Sequence, residues 1–266
     1  MSDGTTYRLA VVGGGNMGAA LVGGLLHAGW APADIAVVEV SAVRAAALRA
    51  MFPGVTVVAD VPRCDAALIA VKPYDVATAC AAAAWAGAAR LLSIAAGISI
   101  AALQDAAGPD VAVVRAMPNT PALVGQGAAA ISGGATATDA DLAWAESILG
   151  SVGIVVRVPE SQLDAVTGLA GSGPAYLFLV AEALIDAGVL AGLSRANSEA
   201  LVTQLLVGSA ALLADRGDPA RLRAEVTSPG GTTAAGLRSL EEHAVRAAFL
   251  DAVMAAAQRS NELGKR

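Results

Sequence analysis

Aromatic residues make up only 3% of the 266-residue chain, with Trp, Tyr and Phe present three times each. A core without bulky rings must be filled by aliphatic side chains, and alanine supplies much of the 56% hydrophobic content. Alanine suits close-packed helices, so a helix-rich protein is expected. Cysteine is limited to Cys64 and Cys80, too few and too poorly placed for a disulfide framework or a zinc site, and no metal is expected. Basic runs are missing and the net charge is −6, which argues against a nucleic-acid partner. Long apolar runs are also lacking. The best, around Leu91 to Leu103 and Tyr176 to Leu193, are too short or carry Glu182 and Asp186, so no membrane span is expected. Met1-Ser2-Asp3-Gly4 lacks the basic and apolar regions of a secretory leader, which leaves the cytoplasm as the default location.

Glycine, by contrast, is abundant at 29 residues, and one cluster of it organises the chain. The apolar run Leu9-Ala10-Val11-Val12 reads as a buried strand, breaks into Gly13-Gly14-Gly15, and resumes as a helix pattern through Ala19, Leu21, Val22, Leu25 and Leu26. Gly13, Gly15 and Gly18 match the dinucleotide fingerprint G-x-G-x-x-G. There the first glycine makes the turn, the second admits a pyrophosphate to the backbone, and the third lets helix and strand pack closely. A second strand, Ile35 to Val38, ends in Glu39, about 20 residues on, where a ribose-binding carboxylate belongs. The stretch is read as a nicotinamide dinucleotide site.

Strand and helix signals then alternate. Arg44 to Met51, Val76 to Ala89 and Ile100 to Ala106 read as helices; Val55 to Val58, Ala66 to Val71, Leu91 to Ala95 and Ala112 to Ala116 read as strands. This alternation predicts an α/β, Rossmann-type, doubly wound and mostly parallel sheet. Ala128 to Ile131 and Ile154 to Val158 add two strands around a helix at Asp139 to Leu149. Ligands bind beyond the carboxyl ends of strands in such sheets, and Gly13 to Gly18, Glu39, Lys72, Ala96 and Asn119 all follow strands at that edge. After Pro159 the pattern becomes helical: Leu163 to Gly192, Asn197 to Asp215, Pro219 to Val226 and Thr232 to Leu263. A boundary near Glu160 divides a dinucleotide-binding domain, 1–160, from an all-helical domain, 161–266. Leu201, Leu205, Leu206, Leu212 and Leu213 fall on more than one helical face, which suggests pairing with a second subunit.

Ser228-Pro229-Gly230-Gly231-Thr232-Thr233 is the most telling stretch of the helical half. Ser228 reads as an N-cap and Pro229 as the first helical residue. Two glycines in a first turn cost helix stability, about 1 kcal/mol each. They make sense if bare backbone N–H groups must meet a small carboxylate, with the helix dipole favouring its charge; an ordinary Ser-Pro cap is the competing reading. Ala170 to Tyr176 interrupts a helical pattern, as a plain kink or as a pocket wall with Ser172 and Tyr176. His27 and His243 read as surface residues. Without a histidine acid, an imine acceptor, basic enough to arrive protonated, fits hydride transfer better than a ketone.

These motifs together resemble the pyrroline-5-carboxylate reductases over nearly the whole chain. The resemblance rests on Gly13 to Gly18, Ala70-Val71-Lys72-Pro73, Ser93 to Gly97, Met117-Pro118-Asn119-Thr120-Pro121, Gly171 to Tyr176 and Thr227 to Thr233, the last two being specific in order and spacing. It implies reduction of the cyclic imine 1-pyrroline-5-carboxylate to L-proline with NAD(P)H, the last step of proline biosynthesis. It also implies a homodimer or larger homo-oligomer through the helical domain, with substrate bound where protomers meet. Carried over by position, Gly13, Gly15, Asn16, Met17, Gly18, Glu39, Ser41, Ala70, Val71, Lys72, Pro73, Ala96 and Asn119 are the implied cofactor residues. Ser228, Gly230, Gly231 and Thr232 are the implied substrate cradle, and Thr233 is the catalytic hydroxyl on the ring nitrogen. Glu160 and Glu225 occupy positions that contribute to the substrate site in some relatives.

One departure stands out. Many relatives follow the second strand with Asn-Arg-Ser or Asp-Arg-Ser, whose arginine suits a 2′-phosphate; here the chain reads Glu39-Val40-Ser41. A carboxylate accepts from a free 2′-hydroxyl and repels a phosphate, so a preference for NADH is expected, with Arg44 one turn further on as the residue able to offset it. Other readings are a hydroxyacid dehydrogenase, disfavoured because no lysine lies between Lys72 and Lys265, a non-catalytic dinucleotide-binding regulator, and a methyltransferase.

Overall fold

The computed structural model describes residues 5–264; Met1 to Gly4, on which the leader expectation rests, and Lys265 and Arg266 lie outside the described residues. The chain divides into two compact units. One holds the chain up to Ser172 together with the stretch from Ala255 onward; the other is Gly173–Met254.

The first unit is built on one eight-stranded sheet. Its strands are β1 (Leu9–Val12), β2 (Ile35–Val38), β3 (Thr56–Val58), β4 (Ala66–Ile69), β5 (Arg90–Ser93), β6 (Ala112–Met117), β7 (Gly127–Gly133) and β8 (Gly153–Arg157). Their order is β3-β2-β1-β4-β5-β6-β7-β8, parallel except for the β6–β7 pair. Helices α1 (Asn16–His27), α2 (Ala42–Met51), α3 (Val76–Trp85), α4 (Ile100–Ala107) and α5 (Asp139–Leu149) connect them. β1, β2 and β4 are buried along their whole length, as parallel strands covered on both faces must be. Alternate residues feed two cores: Leu9 and Val11 pack with α1, α2 and α5, while Ala10 and Val12 pack with α3 and α4. β1 is flanked by β2 on one side and β4 on the other, so the strand order reverses beside it. A crevice opens at such a reversal, beyond the strand ends.

The expected elements are present with shifted ends. The helix read to Ala89 stops at Trp85, because Gly87 takes a left-handed φ of +98° and turns the chain into β5. The helix read as continuous from Leu163 to Gly192 is α6 (Leu163–Val166), a π turn at Thr167–Gly171, and α7 (Gly173–Leu190). Pro174 therefore sits in the first turn of α7, where a missing N–H costs nothing. The stretch Glu160–Leu190 is long and apolar enough, by length and composition alone, to cross a bilayer, although no span was expected there.

The second unit holds α7, α8 (Arg195–Arg216), α9 (Pro219–Glu225), α10 (Thr232–Glu242) and the first part of α11 (Val245–Gly264). The expected single helix from Thr232 to Leu263 is broken at His243 and Ala244, and Ala244 carries a left-handed φ of 54°. The compact units divide the chain at 172/173 and 254/255. Residues 160–172 and the end of α11 belong with the sheet, where Ser260 and Asn261 donate to the Asp164 carboxylate at 2.7 and 3.0 Å. Within the second unit α7 has no buried residue, and Leu177, Phe178, Leu179, Leu201 and Leu205 are all more than half exposed.

Candidate active site

The three fingerprint glycines of the first loop have separate physical tasks. Gly13 takes φ +108° and lies so close to β4 that a Cβ would meet the Ala70 carbonyl oxygen at 2.6 Å. A Cβ on Gly18 would overlap the Gly13 carbonyl oxygen, so α1 can press against the turn only without a side chain. Gly15 is the N-cap of α1 with no side-chain cap bond. A Cβ there would find only the Arg44 guanidinium, 4.0 Å away. The middle glycine therefore leaves free N–H groups at a helix start facing open space, which suits a diphosphate.

That space is a cleft of about 940 Å³, lined by Gly13, Gly15, Asn16 and Met17, by Glu39, Val40 and Arg44 after β2, and by Ala70, Val71, Lys72 and Ala96 after β4 and β5. Met117 and Pro118 also line it. Most of the expected cofactor residues are thus gathered in one cleft. Gly18 and Ser41 support it from behind. Ser41 caps α2, and its N–H donates to Glu39 Oε1 at 2.8 Å. Pro73 opens a short 3-10 turn beside the cleft.

Asn119, expected near the nicotinamide, is held by the fold itself. It is 9% exposed; its amide donates to the Ala170 carbonyl at 3.1 Å and its oxygen accepts from Ala128 N–H at 2.8 Å. The side chain clamps the start of β7 to the π turn. A Cβ on Gly171 would lie 2.7 Å from Met117 Cε, so this turn is packed against the end of β6 that borders the cleft. Sequence reasoning did not single out Met117 and Pro118 as lining residues; their place at the end of β6, at the ligand edge of the sheet, is the signal that could have found them.

The Ser228 motif, in the second unit, has a geometry other than the expected Ser-Pro cap. Gly231 N–H donates to the Ser228 carbonyl at 3.0 Å and Gly230 has φ +69°. This is a β-turn with proline second and a left-handed glycine third, the type II pattern. The N-cap of α10 is Gly231, with no side-chain cap bond, and the helix begins at Thr232. The sequence misled because Ser-Pro suits a helix start as well as a turn. Gly230 is required by its left-handed φ, whereas a Cβ on Gly231 would meet the Ser228 hydroxyl, which can rotate aside, and Gly231 itself has an extended backbone that any residue adopts. The first N–H groups of α10 lack intrahelical acceptors, as at every helix start, and the Thr233 hydroxyl sits in that first turn.

The two expected carboxylates are already engaged. Glu160, in the first unit, accepts from Ile100 N–H at 2.7 Å and from Arg115 Nη1 at 2.9 Å. It caps α4 and neutralises a mostly buried guanidinium. Glu225, in the second unit, lies 3.3 Å from Arg216 and 3.7 Å from Arg221. The histidines are peripheral: both are exposed, and His243 Nδ1 lies 2.8 Å from the Ser239 carbonyl. Burial pushes both Cys64 and Cys80 up to about 11, which leaves them poor nucleophiles. No group of three or more metal-binding side chains occurs among the described residues.

A doubly wound sheet with a glycine turn, an open helix N-terminus and an acid after the second strand defines a dinucleotide-binding protein of the Rossmann class. Comparison with known proteins narrows the class. Residues 160–263 match the family model described as pyrroline-5-carboxylate reductase dimerisation, and residues 8–97 match the one described as NADP oxidoreductase, coenzyme F420-dependent. A pyrroline-5-carboxylate reductase of Corynebacterium melassecola is 42% identical, covering 97% of this chain and 98% of the relative. Among solved structures, the pyrroline-5-carboxylate reductase of Coxiella burnetii superposes with a TM-score of 0.92 at 33% identity, covering 98% of this chain and 100% of that one. The pyrroline carboxylate reductase of Plasmodium falciparum, solved with NADP bound, gives 0.82 at 32% identity, covering 97% and 98%. The chain belongs to the pyrroline-5-carboxylate reductase family.

Proposed function

We propose that the chain reduces 1-pyrroline-5-carboxylate to L-proline with a nicotinamide dinucleotide, as a homodimer or larger homo-oligomer. The observation that carries the reading is the uncapped N-terminus of α10 behind a two-glycine turn, on a chain that also holds a dinucleotide cleft. Family membership supports the same substrate.

Gly13 to Gly18 would hold the diphosphate, Glu39 the adenosine ribose, and Ala70, Val71, Lys72 and Ala96 the remaining length of the cofactor. The bound nicotinamide supplies the hydride. On the substrate side, N–H groups at Thr232 and Thr233 receive the carboxylate, aided by the positive end of the helix dipole. The Thr233 hydroxyl bonds the ring nitrogen. The imine enters protonated, so hydride addition at its carbon yields the neutral amine of proline and no strong general acid is needed. Glu39 supports a preference for NADH, since its carboxylate would accept from a free 2′-hydroxyl and repel a 2′-phosphate. The unburied apolar faces of α7 and α8, Leu177, Phe178, Leu201 and Leu205 among them, support pairing with a second copy.

Purified protein mixed with 1-pyrroline-5-carboxylate should oxidise NADH with proline as product. Thr233→Ala should lower turnover by about 100-fold, the scale of one lost transition-state hydrogen bond, with cofactor affinity little changed and partial recovery in Thr233→Ser. No oxidation with either nicotinamide cofactor would refute the assignment. NADPH favoured tenfold or more would refute the preference alone.

A further inference from the structure

The corner of the cleft after β2 holds two opposite charges arranged to cancel. Glu39 is 7% exposed at its side chain; its Oε1 takes the Ser41 N–H at 2.8 Å, and its Oε2 forms a looser ion pair with Arg44 Nη1 at 3.7 Å. Arg44 is anchored differently. It stands on the first turn of α2, where its own N–H meets the Ser41 hydroxyl at 3.4 Å, while its side chain is 57% exposed. One end of the pair is therefore fixed and the other is free to move.

Arg44 and Lys72 are the cations among the described residues lining the cleft. Lys72 follows β4 and Arg44 follows β2, on opposite sides of β1. Only Arg44 shares the ribose corner with Glu39, and its Nη1 comes within 4.0 Å of where a Cβ on Gly15 would stand. A guanidinium at that place has the planar, multidentate donor set that suits a phosphate. Its nearest anion is the Glu39 carboxylate, 3.7 Å away.

We propose that Arg44 is a latent determinant of cofactor choice: the Glu39 carboxylate masks it, and removal of that charge converts the corner into a 2′-phosphate site. The proposal rests on the reading of Glu39 as the ribose carboxylate. It predicts that one isosteric change suffices to alter specificity, because the replacement cation is already in place. It also places the phosphate-binding charge on α2, not in the loop immediately after β2.

The test is calorimetric titration with ADP-ribose and with 2′-phospho-ADP-ribose, which needs no turnover. Four proteins are compared: wild type, Glu39→Gln, Arg44→Gln and the double variant. Glu39→Gln keeps an oxygen for the Ser41 N–H, so the fold is retained, and thermal unfolding verifies this. It should tighten binding of the phosphorylated ligand about tenfold or more, the scale of a new charge-assisted bidentate pair formed as a repulsion is removed. The double variant should lose that increase, and high salt should reduce it. Arg44→Gln alone should bind ADP-ribose within about threefold of wild type, as expected for an exposed pair. Tighter binding that persists in the double variant assigns the phosphate to Lys72 or the α1 N-terminus and overturns the proposal, as does unchanged binding in Glu39→Gln. The wild-type ratio of the two ligands tests the NADH reading separately, since the Arg44 effect is measured as a change from wild type.

Discussion

Gly15 and Gly18 lie in one loop, yet a methyl group added to each should damage different properties. Gly15 has φ −69° and ψ −177°, a backbone conformation any residue adopts, and open space where its Cβ would stand. Alanine is a poorer N-cap than glycine, while it removes about 0.4–1 kcal/mol of unfolded-chain freedom. These effects oppose each other, so Gly15→Ala should change stability by no more than about 0.5 kcal/mol. That corresponds to a melting shift of about 2 °C or less for a chain of this size. The same methyl projects into the cleft where a diphosphate must reach the backbone. An overlap worth about 1–3 kcal/mol corresponds to a loss of dinucleotide affinity of about 5- to 150-fold. Gly18→Ala should do the reverse. Its Cβ would overlap the Gly13 carbonyl oxygen, and Val11 Cγ1 stands 3.5 Å away on the other side. The oxygen is main chain and cannot rotate aside, so a cost of about 2–4 kcal/mol is expected. Melting should fall by roughly 5–15 °C. Thermal unfolding without ligand, paired with titration of NADH by fluorescence, separates the two effects. Wild-type NADH affinity in Gly15→Ala, or a melting point as low as that of Gly18→Ala, would refute this division of roles.

Two further outcomes concern stability. Glu160→Ala removes the acceptor of both Ile100 N–H and Arg115 and leaves a guanidinium that is only 13% exposed without its partner; a loss of about 1–3 kcal/mol is expected by chemical denaturation, with KM for the imine held within about threefold. A rise in KM of about tenfold at unchanged stability would instead give Glu160 a direct role in substrate binding. Ala244→Gly relieves a left-handed φ of 54° between α10 and α11 and should stabilise by about 0.5–1 kcal/mol; an unchanged or lowered unfolding midpoint would show that the conformation carries no strain.

The dinucleotide half was legible because its signals are local. A strand buried on both faces is a continuous apolar run, a turn against β4 demands Gly13, and an acid ends the next strand, all within one βαβ stretch. The doubly wound, mostly parallel sheet follows from that alternation, while the order of its strands was set by the tertiary structure. The helical half was legible in composition but not in its breaks. Alanine and leucine carry a helix pattern straight through residues 243–244 and 167–171, and only packing decides where the backbone departs from it. Ser228-Pro229 satisfies both a helix cap and a type II turn by local preference, and the left-handed Gly230 with the Gly231 N–H on the Ser228 carbonyl shows that the turn was taken. The same holds for the side chains. From the sequence alone, Glu39 is an acid after β2, Glu160 an acid after β8 and Asn119 a polar residue after β6. Tertiary structure decided that Glu39 meets Arg44, that Glu160 caps α4 and that Asn119 clamps Ala128 to Ala170. These contacts join residues 5 to 60 positions apart, and no pattern within a single element encodes which distant partner a carboxylate or amide will find.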